Sequence, residues 1–94
     1  MSNNENASPE NKMDYSRLIY YLKQGREIEF FYDEKEYFIP NYEKGRVILN
    51  EEGENLNHYI EDPEEFAEKA KINGLTLKDI FQNQSDKLEI GTIF

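Results

Sequence analysis

Glu27-Ile28-Glu29-Phe30-Phe31-Tyr32-Asp33-Glu34-Lys35-Glu36-Tyr37-Phe38-Ile39-Pro40 is the stretch that decides the fold. Ile28, Phe30 and Tyr32 alternate with Glu27 and Glu29, which is the period of a half-buried strand. Asp33-Glu34-Lys35 makes a short polar turn, and Glu36-Tyr37-Phe38-Ile39 returns with Tyr37 and Ile39 on one face. Together these segments read as an antiparallel β-hairpin. Phe31 and Phe38 fall on the opposite face, which is therefore expected to be partly covered. Pro40 has no N–H to give a ladder and belongs at a strand end or an edge.

Working outward, Asp14 or Ser16 can cap a helix that carries Leu18, Ile19 and Leu22 at helical spacing, with Tyr15 in support and Gly25 as its stop. On the other side, Glu43-Lys44-Gly45 is a turn, Arg46-Val47-Ile48-Leu49-Asn50 has the β-branched content of a third strand, and Leu56 to Ile60 offers a short fourth. Asp62-Pro63-Glu64-Glu65-Phe66 is a helix start with cap, first-turn proline and acids at the positive end of the dipole, and it predicts a helix running to about Ile72 and ended by Asn73-Gly74. Phe66, Ala67, Ala70 and Ile72 are its inward residues. Thr76 caps a second short helix with Leu77, Ile80 and Phe81 on its apolar side, and Leu88, Ile90, Thr92 and Phe94 lie on one side of a terminal strand. The expected fold is α+β: a mainly antiparallel β-meander of three to five strands, with an N-terminal helix and two short C-terminal helices packed on one face.

Composition agrees with one small domain. The 94 residues include 7 Tyr and 6 Phe, too many aromatics for a chain that stays unfolded. Residues 1–12 are Asn-, Glu- and Ser-rich and read as a disordered polar tail, which leaves 13–94 as a single α+β domain. There is no Cys, so disulfides and thiolate chemistry are excluded. The N-terminus lacks the basic and apolar pattern of a secretory signal, and no apolar run approaches the roughly 20 residues of a membrane span. These features are those expected of a cytoplasmic protein.

Motifs for catalysis are scarce. His58 is the only histidine and stands in Asn57-His58-Tyr59 without a spaced partner, so an exposed or hydrogen-bonded loop role outweighs general-base duty. The serines occupy tail, cap and turn positions, and no phosphate-binding glycine loop or metalloprotease motif occurs. Asn50-Glu51-Glu52-Gly53-Glu54-Asn55 collects oxygen ligands around a glycine but lacks the spacing of a calcium loop, and reads as a solvated turn. No enzyme activity, cofactor or metal is expected.

Charge is more informative. Against 20 Asp and Glu there are 11 Lys and Arg, a formal net charge of -9. Glu51, Glu52, Glu54, Glu61, Asp62, Glu64, Glu65 and Glu68 all fall between Val47 and Glu68, where no Lys or Arg opposes them. Such a field attracts a basic surface and repels nucleic acid and anionic membranes. The plainer reading is that Glu64, Glu65 and Glu68 form the wet side of a helix and the loop keeps the protein soluble. Tyr20, Tyr21 and Tyr42 are the candidate exposed aromatic contacts, since tyrosine joins a large apolar area to a polar tip.

Leu22-Lys23-Gln24-Gly25-Arg26-Glu27-Ile28-Glu29-Phe30, Tyr37-Phe38-Ile39 and Ile72-Asn73-Gly74-Leu75-Thr76-Leu77-Lys78-Asp79-Ile80 resemble a pattern in small acidic uncharacterised proteins of Firmicutes and their phages. The resemblance spans most of Tyr15 to Phe94 and rests on a helix stop, a strand and a helix cap. It implies a bacterial or phage-encoded origin and carries over no catalytic residue. Three functions are compatible with these features. One is a non-enzymatic module binding a basic protein, including a phage-type inhibitor or DNA-mimic-like binder of a nucleic-acid-binding protein. The second is an immunity or antitoxin protein that neutralises a toxin, and the third is an accessory domain that self-associates through a strand edge. A small enzyme built on His58 is the disfavoured fourth.

Overall fold

The computed structural model describes residues 13–94, so the tail expected over residues 1–12 lies outside the described residues. Helix α1, Tyr15–Lys23, starts at Asp14, whose carboxylate accepts the Arg17 N–H at 2.9 Å. Its end is closed by two backbone bonds, Gly25 N to Leu22 O at 3.1 Å and Arg26 N to Tyr21 O at 3.0 Å, the paired arrangement that satisfies a helix's last carbonyls. Strands β1 (Ile28–Tyr32) and β2 (Lys35–Ile39) form the hairpin, in register from Ile28 opposite Ile39 to Tyr32 opposite Lys35. The turn between them has only two residues. Asp33 and Glu34 have φ of 54° and 68°, the left-handed pair that a two-residue hairpin requires and that side chains other than glycine enter at a cost.

Helix α2, Pro63–Lys69, is capped by Asp62 as expected, but it stops short of Ile72. Ala70 is already extended, and β3 (Lys71–Ile72) pairs with β4 (Leu75–Thr76) across Asn73-Gly74, both with positive φ. Asn-Gly terminates the helix indirectly, by making a tight hairpin whose flanks must be extended. Thr76 then caps α3, Leu77–Asn83, through a bond from the Asp79 N–H at 3.1 Å. A short 3₁₀ segment, Ser85–Lys87, leads into β5, Leu88–Ile93, which pairs antiparallel with β1. The larger sheet therefore has the order β2-β1-β5, with the first strand in the middle.

Two expectations about the strands are corrected. Phe30 pairs with Ile90 and Glu29 with Thr92, so Gly91 is an extra residue in β5, and the bulge reverses the alternation beyond it. Leu88 and Ile90 enter the core, Ile93 pairs with Ile28 and packs against the core, and Thr92 and Phe94 turn to the opposite face. Arg46 to Asn50 and Leu56 to Ile60 make isolated pairs in place of a third and fourth strand. Arg46 exchanges backbone bonds with Ile60, Leu49 exchanges them with Phe38, and the Ile48 N–H goes to the Asn57 side chain at 2.8 Å. Backbone groups satisfied in several directions cannot continue one ladder.

The core gathers Leu18, Ile19 and Leu22 of α1, Phe66 and Ala67 of α2, Leu77, Ile80 and Phe81 of α3, and the inward residues of all three strands in one cluster. All three helices thus cover one face of the sheet, and the α+β architecture is as expected. Among the described residues Arg46 is the only buried charged side chain, 3% exposed. Its Nη1 donates to Arg26 O at 2.8 Å and Pro40 O at 3.0 Å, and its Nη2 donates to Leu22 O at 3.0 Å. The preceding Gly45 has φ of 129°, and a Cβ there would stand 2.8 Å from the Ile60 carbonyl carbon and oxygen, so the close Arg46–Ile60 pairing needs glycine beside it.

Arg46→Gln should lower the unfolding free energy by about 3 kcal/mol or more, because buried carbonyls lose charged donors. Arg46→Lys should recover only part of this, since one ammonium cannot span the three carbonyls; urea unfolding of both variants checks it. Glu34→Gly should raise stability by about 0.5–1 kcal/mol in the same assay by relieving the left-handed turn.

Candidate functional site

The eight acids of the middle segment are all exposed, and folding divides them into two sets. Those on α2 are met by lysines from three helices. Lys23 at the end of α1 stands 3.4 Å from Glu64, Lys69 is 2.8 Å from Glu65 one turn away, and Lys78 of α3 is 3.8 Å from Glu68. The hydrogen bond from Lys69 to Glu65 holds that ammonium above its ordinary pKa. Burial first, then the Glu68 and Glu64 carboxylates, pushes the Tyr15 hydroxyl up. For Glu64, Glu65 and Glu68 the plainer reading therefore fits: they line a helix whose charge is largely matched. Two of these lysines, Lys23 and Lys78, come from other helices, so a count along the chain does not register their counter-charge.

The loop acids behave differently. Among the described residues no Lys or Arg stands within 4.0 Å of Glu51, Glu52, Glu54, Glu61 or Asp62. Asp62 is committed as the α2 cap, accepting Glu65 N–H at 2.8 Å. Asn50 organises the turn: its side-chain oxygen accepts the N–H groups of Glu52 at 3.0 Å and Glu54 at 2.9 Å, while its amide donates to the Glu54 carboxylate at 2.9 Å. This is the local side-chain to backbone bonding for which asparagine is favoured in turns. Glu51 reaches back to accept the Glu36 N–H at 3.2 Å, which docks the acidic turn against the outer edge of β2.

Beside the turn lies a shallow groove of about 420 Å³, bounded by Tyr42, Lys44, Leu49, Gly53 and Tyr59 among others. Tyr42 and Tyr59 pack edge to face with centroids 6.1 Å apart, and they are 45% and 41% exposed. Lys44 Nζ hangs 5.7 Å over the Tyr59 ring, so a cation already occupies one aromatic face. Of the candidate tyrosines, only Tyr42 is brought to the acidic turn. Tyr20 and Tyr21 form a separate pair on α1, with centroids 5.5 Å apart, Tyr20 exposed and Tyr21 half-buried beneath Arg26. Asn57-His58-Tyr59 has no periodicity to mark Tyr59 in the sequence, and its distance from Tyr42 in the chain hides the contact.

The sheet face turned away from the helices adds a second acidic group. Glu29 and Glu36 lie diagonally across β1 and β2, and Glu51 joins them at the edge. The hydrogen bond with Glu29, a small loss of hydration and then the Glu29 and Glu51 charges raise the Glu36 pKa above 4.5. His58 is exposed on its loop, and among the described residues no group of three or more His, Asp or Glu side chains is placed to hold a metal ion. Nor is any described helix long and apolar enough to cross a membrane. No family model, curated protein or solved structure matches the chain.

A carboxyl whose folded pKa is raised binds extra protons in the native state, so its contribution to stability grows as pH falls toward 4.5 and is lost as pH rises through the folded value. A carbon-detected NMR titration of Glu36 should give a midpoint above 4.5. In Glu29→Gln the midpoint should fall, because the amide can donate to the ionised carboxylate and one negative charge is gone.

Proposed function

We propose that the chain is a non-enzymatic interaction module that receives a basic surface of a partner protein at the acidic turn, residues 51–54, and the adjoining Tyr42–Tyr59 groove. The observation that carries this reading is the pairing of unmatched carboxylates with two exposed, mutually packed tyrosines on a turn held in one shape by Asn50. Fixed carboxylates raise the encounter rate with a basic patch, and tyrosines supply the contact area that converts encounter into residence. Direct binding to nucleic acid is disfavoured by the same field. In its finer form the partner is a nucleic-acid-binding protein whose basic surface the module occupies, which suits a phage-type inhibitor; a captured toxin would instead assign it to the immunity class.

The test immobilises the full chain, exposes it to a bacterial lysate and elutes with a salt gradient. A basic protein should elute, and its retention should drop about tenfold for Glu52→Lys/Glu54→Lys/Glu61→Lys. Tyr42→Ala/Tyr59→Ala should weaken it without flattening the salt dependence. Glu64→Gln/Glu65→Gln/Glu68→Gln, the matched set, should change it least. Equal retention and equal salt dependence in the loop-reversal variant would show that the acidic turn is not the contact.

A further inference from the structure

The outer face of the sheet carries residues that a purely solvated face would not. Across the three strands, Glu36, Phe31 and Glu89 form one row, and Phe38, Glu29 and Thr92 form the next. The loop extends both rows past β2, Leu49 pairing with Phe38 and Glu51 lying against the Glu36 N–H. Phenylalanines and carboxylates therefore alternate over the face. Phe94, 60% exposed, packs edge to face on Phe38 with centroids 5.9 Å apart. Because Leu49 also borders the Tyr42–Tyr59 groove, an aromatic and aliphatic band runs from Phe94 through Phe38 and Leu49 to the tyrosines. Neither Phe31 nor Phe38 contributes to the core cluster, whose helices all lie on the other side.

We propose that this face is the floor of the binding surface, and that its occupant is an amphipathic basic segment of a partner protein, whose aliphatic side chains cover the Phe38–Phe94 band while its Lys or Arg side chains meet Glu29, Glu36, Glu51 and Glu89. The inference rests on the binding reading above and extends it from the turn to the sheet. Charge complementarity selects the occupant. Glu29, Glu36 and Glu51 crowd together with no described Lys or Arg within 4.0 Å, so an incoming cation relieves a repulsion already present. A second copy of the chain, itself at -9, would add to that repulsion. Basic groups border the face without pairing to these carboxylates: Lys35 and Lys71 line a hollow with Glu36 and Glu51, Lys87 lines another with Phe31 and Glu89, Lys44 lies over Tyr59, and Arg26 Nε donates to Phe94 O at 2.6 Å.

The test titrates the ¹⁵N-labelled full chain at low salt with three decapeptides: alternating Lys and Leu, all Lys, and alternating Glu and Leu. The Lys–Leu peptide should bind at least about fivefold more tightly than decalysine and shift the amides of Phe31, Glu36, Phe38 and Thr92. Phe94→Ala should weaken the Lys–Leu peptide about three- to tenfold and leave decalysine unchanged, whereas Glu29→Gln/Glu36→Gln should weaken both; the amide spectrum of each variant reports that it is folded. Shifts confined to residues 51–59 would overturn the sheet-face proposal and leave the acidic-turn reading standing. Equal binding of decalysine, or of the Glu–Leu peptide, would overturn it as well, and so would sedimentation showing a dimer that buries this face. No shift with any basic peptide would overturn both readings.

Discussion

The Arg46 guanidinium is the constraint on which the rest of the structure depends. It is buried with no carboxylate of the described residues within 4.0 Å, and burial pulls its pKa below the ordinary value while Glu27 partly restores it. Its charge is solvated by three main-chain carbonyls, from the end of α1, the connection into β1 and the residue after β2. Leu22 O lies at the negative end of the α1 dipole, which makes a cation there favourable. The same residue's backbone holds Ile60, so one side chain and one peptide unit tie the long excursion between β2 and α2 to the helix–sheet frame. Beyond that tie, residues 41–60 are held by the buried side chains of Val47 and Ile48, by the Leu49–Phe38 pairing and by the bond from the Ile48 N–H to the Asn57 side chain.

That excursion in turn manages the edge of the sheet. In the hairpin register, the N–H groups of Glu36 and Phe38 point away from β1, and they are taken by the Glu51 carboxylate and Leu49 O. An edge covered in this way offers little to another strand. The opposite edge, β5, is interrupted by the bulge at Gly91, which breaks the regular spacing that strand addition uses. Both features favour recognition through side chains on the faces over pairing along the edges.

Legibility in the sequence followed the range of the interaction. Asp14, Asp62-Pro63 and Thr76 mark helix starts because capping is settled within three residues, and the strand alternation of Ile28, Phe30 and Tyr32 states its inner face directly. Asn73-Gly74 reads as a helix stop in the sequence, yet the same left-handed pair turns a hairpin here, because Lys71-Ile72 finds Leu75-Thr76 as partner. The Gly91 bulge was invisible because Leu88, Ile90, Thr92 and Phe94 alternate perfectly in one dimension. Arg46 did carry a signal, a lone charge directly before Val47-Ile48-Leu49, but its meaning needs carbonyls 6, 20 and 24 residues away. Of the candidate site, the acidic turn, Tyr42 and the outward Phe31 and Phe38 are readable, whereas the Tyr42–Tyr59 contact joins two loop residues without periodicity, and Glu89, Thr92 and Phe94 reach the outer face only through the bulged pairing of β5 with β1.

The charge balance explains why such a face is tolerated. Phenylalanine on an uncovered sheet invites association, and flanking carboxylates are the usual means of keeping it soluble. Here the carboxylates sit beside the aromatic rings, in the same rows, while the lysines of α1, α2 and α3 are spent on Glu64, Glu65 and Glu68. Solubility alone does not require that segregation, because both signs interspersed over the surface keep it hydrated at less cost in self-repulsion. Matching the helical side and leaving the turn and outer sheet acidic concentrates the unpaired negative charge on one side of the described residues. In the binding reading proposed above, the aromatic band would supply what screened charges alone lack, an apolar contact that survives at physiological salt.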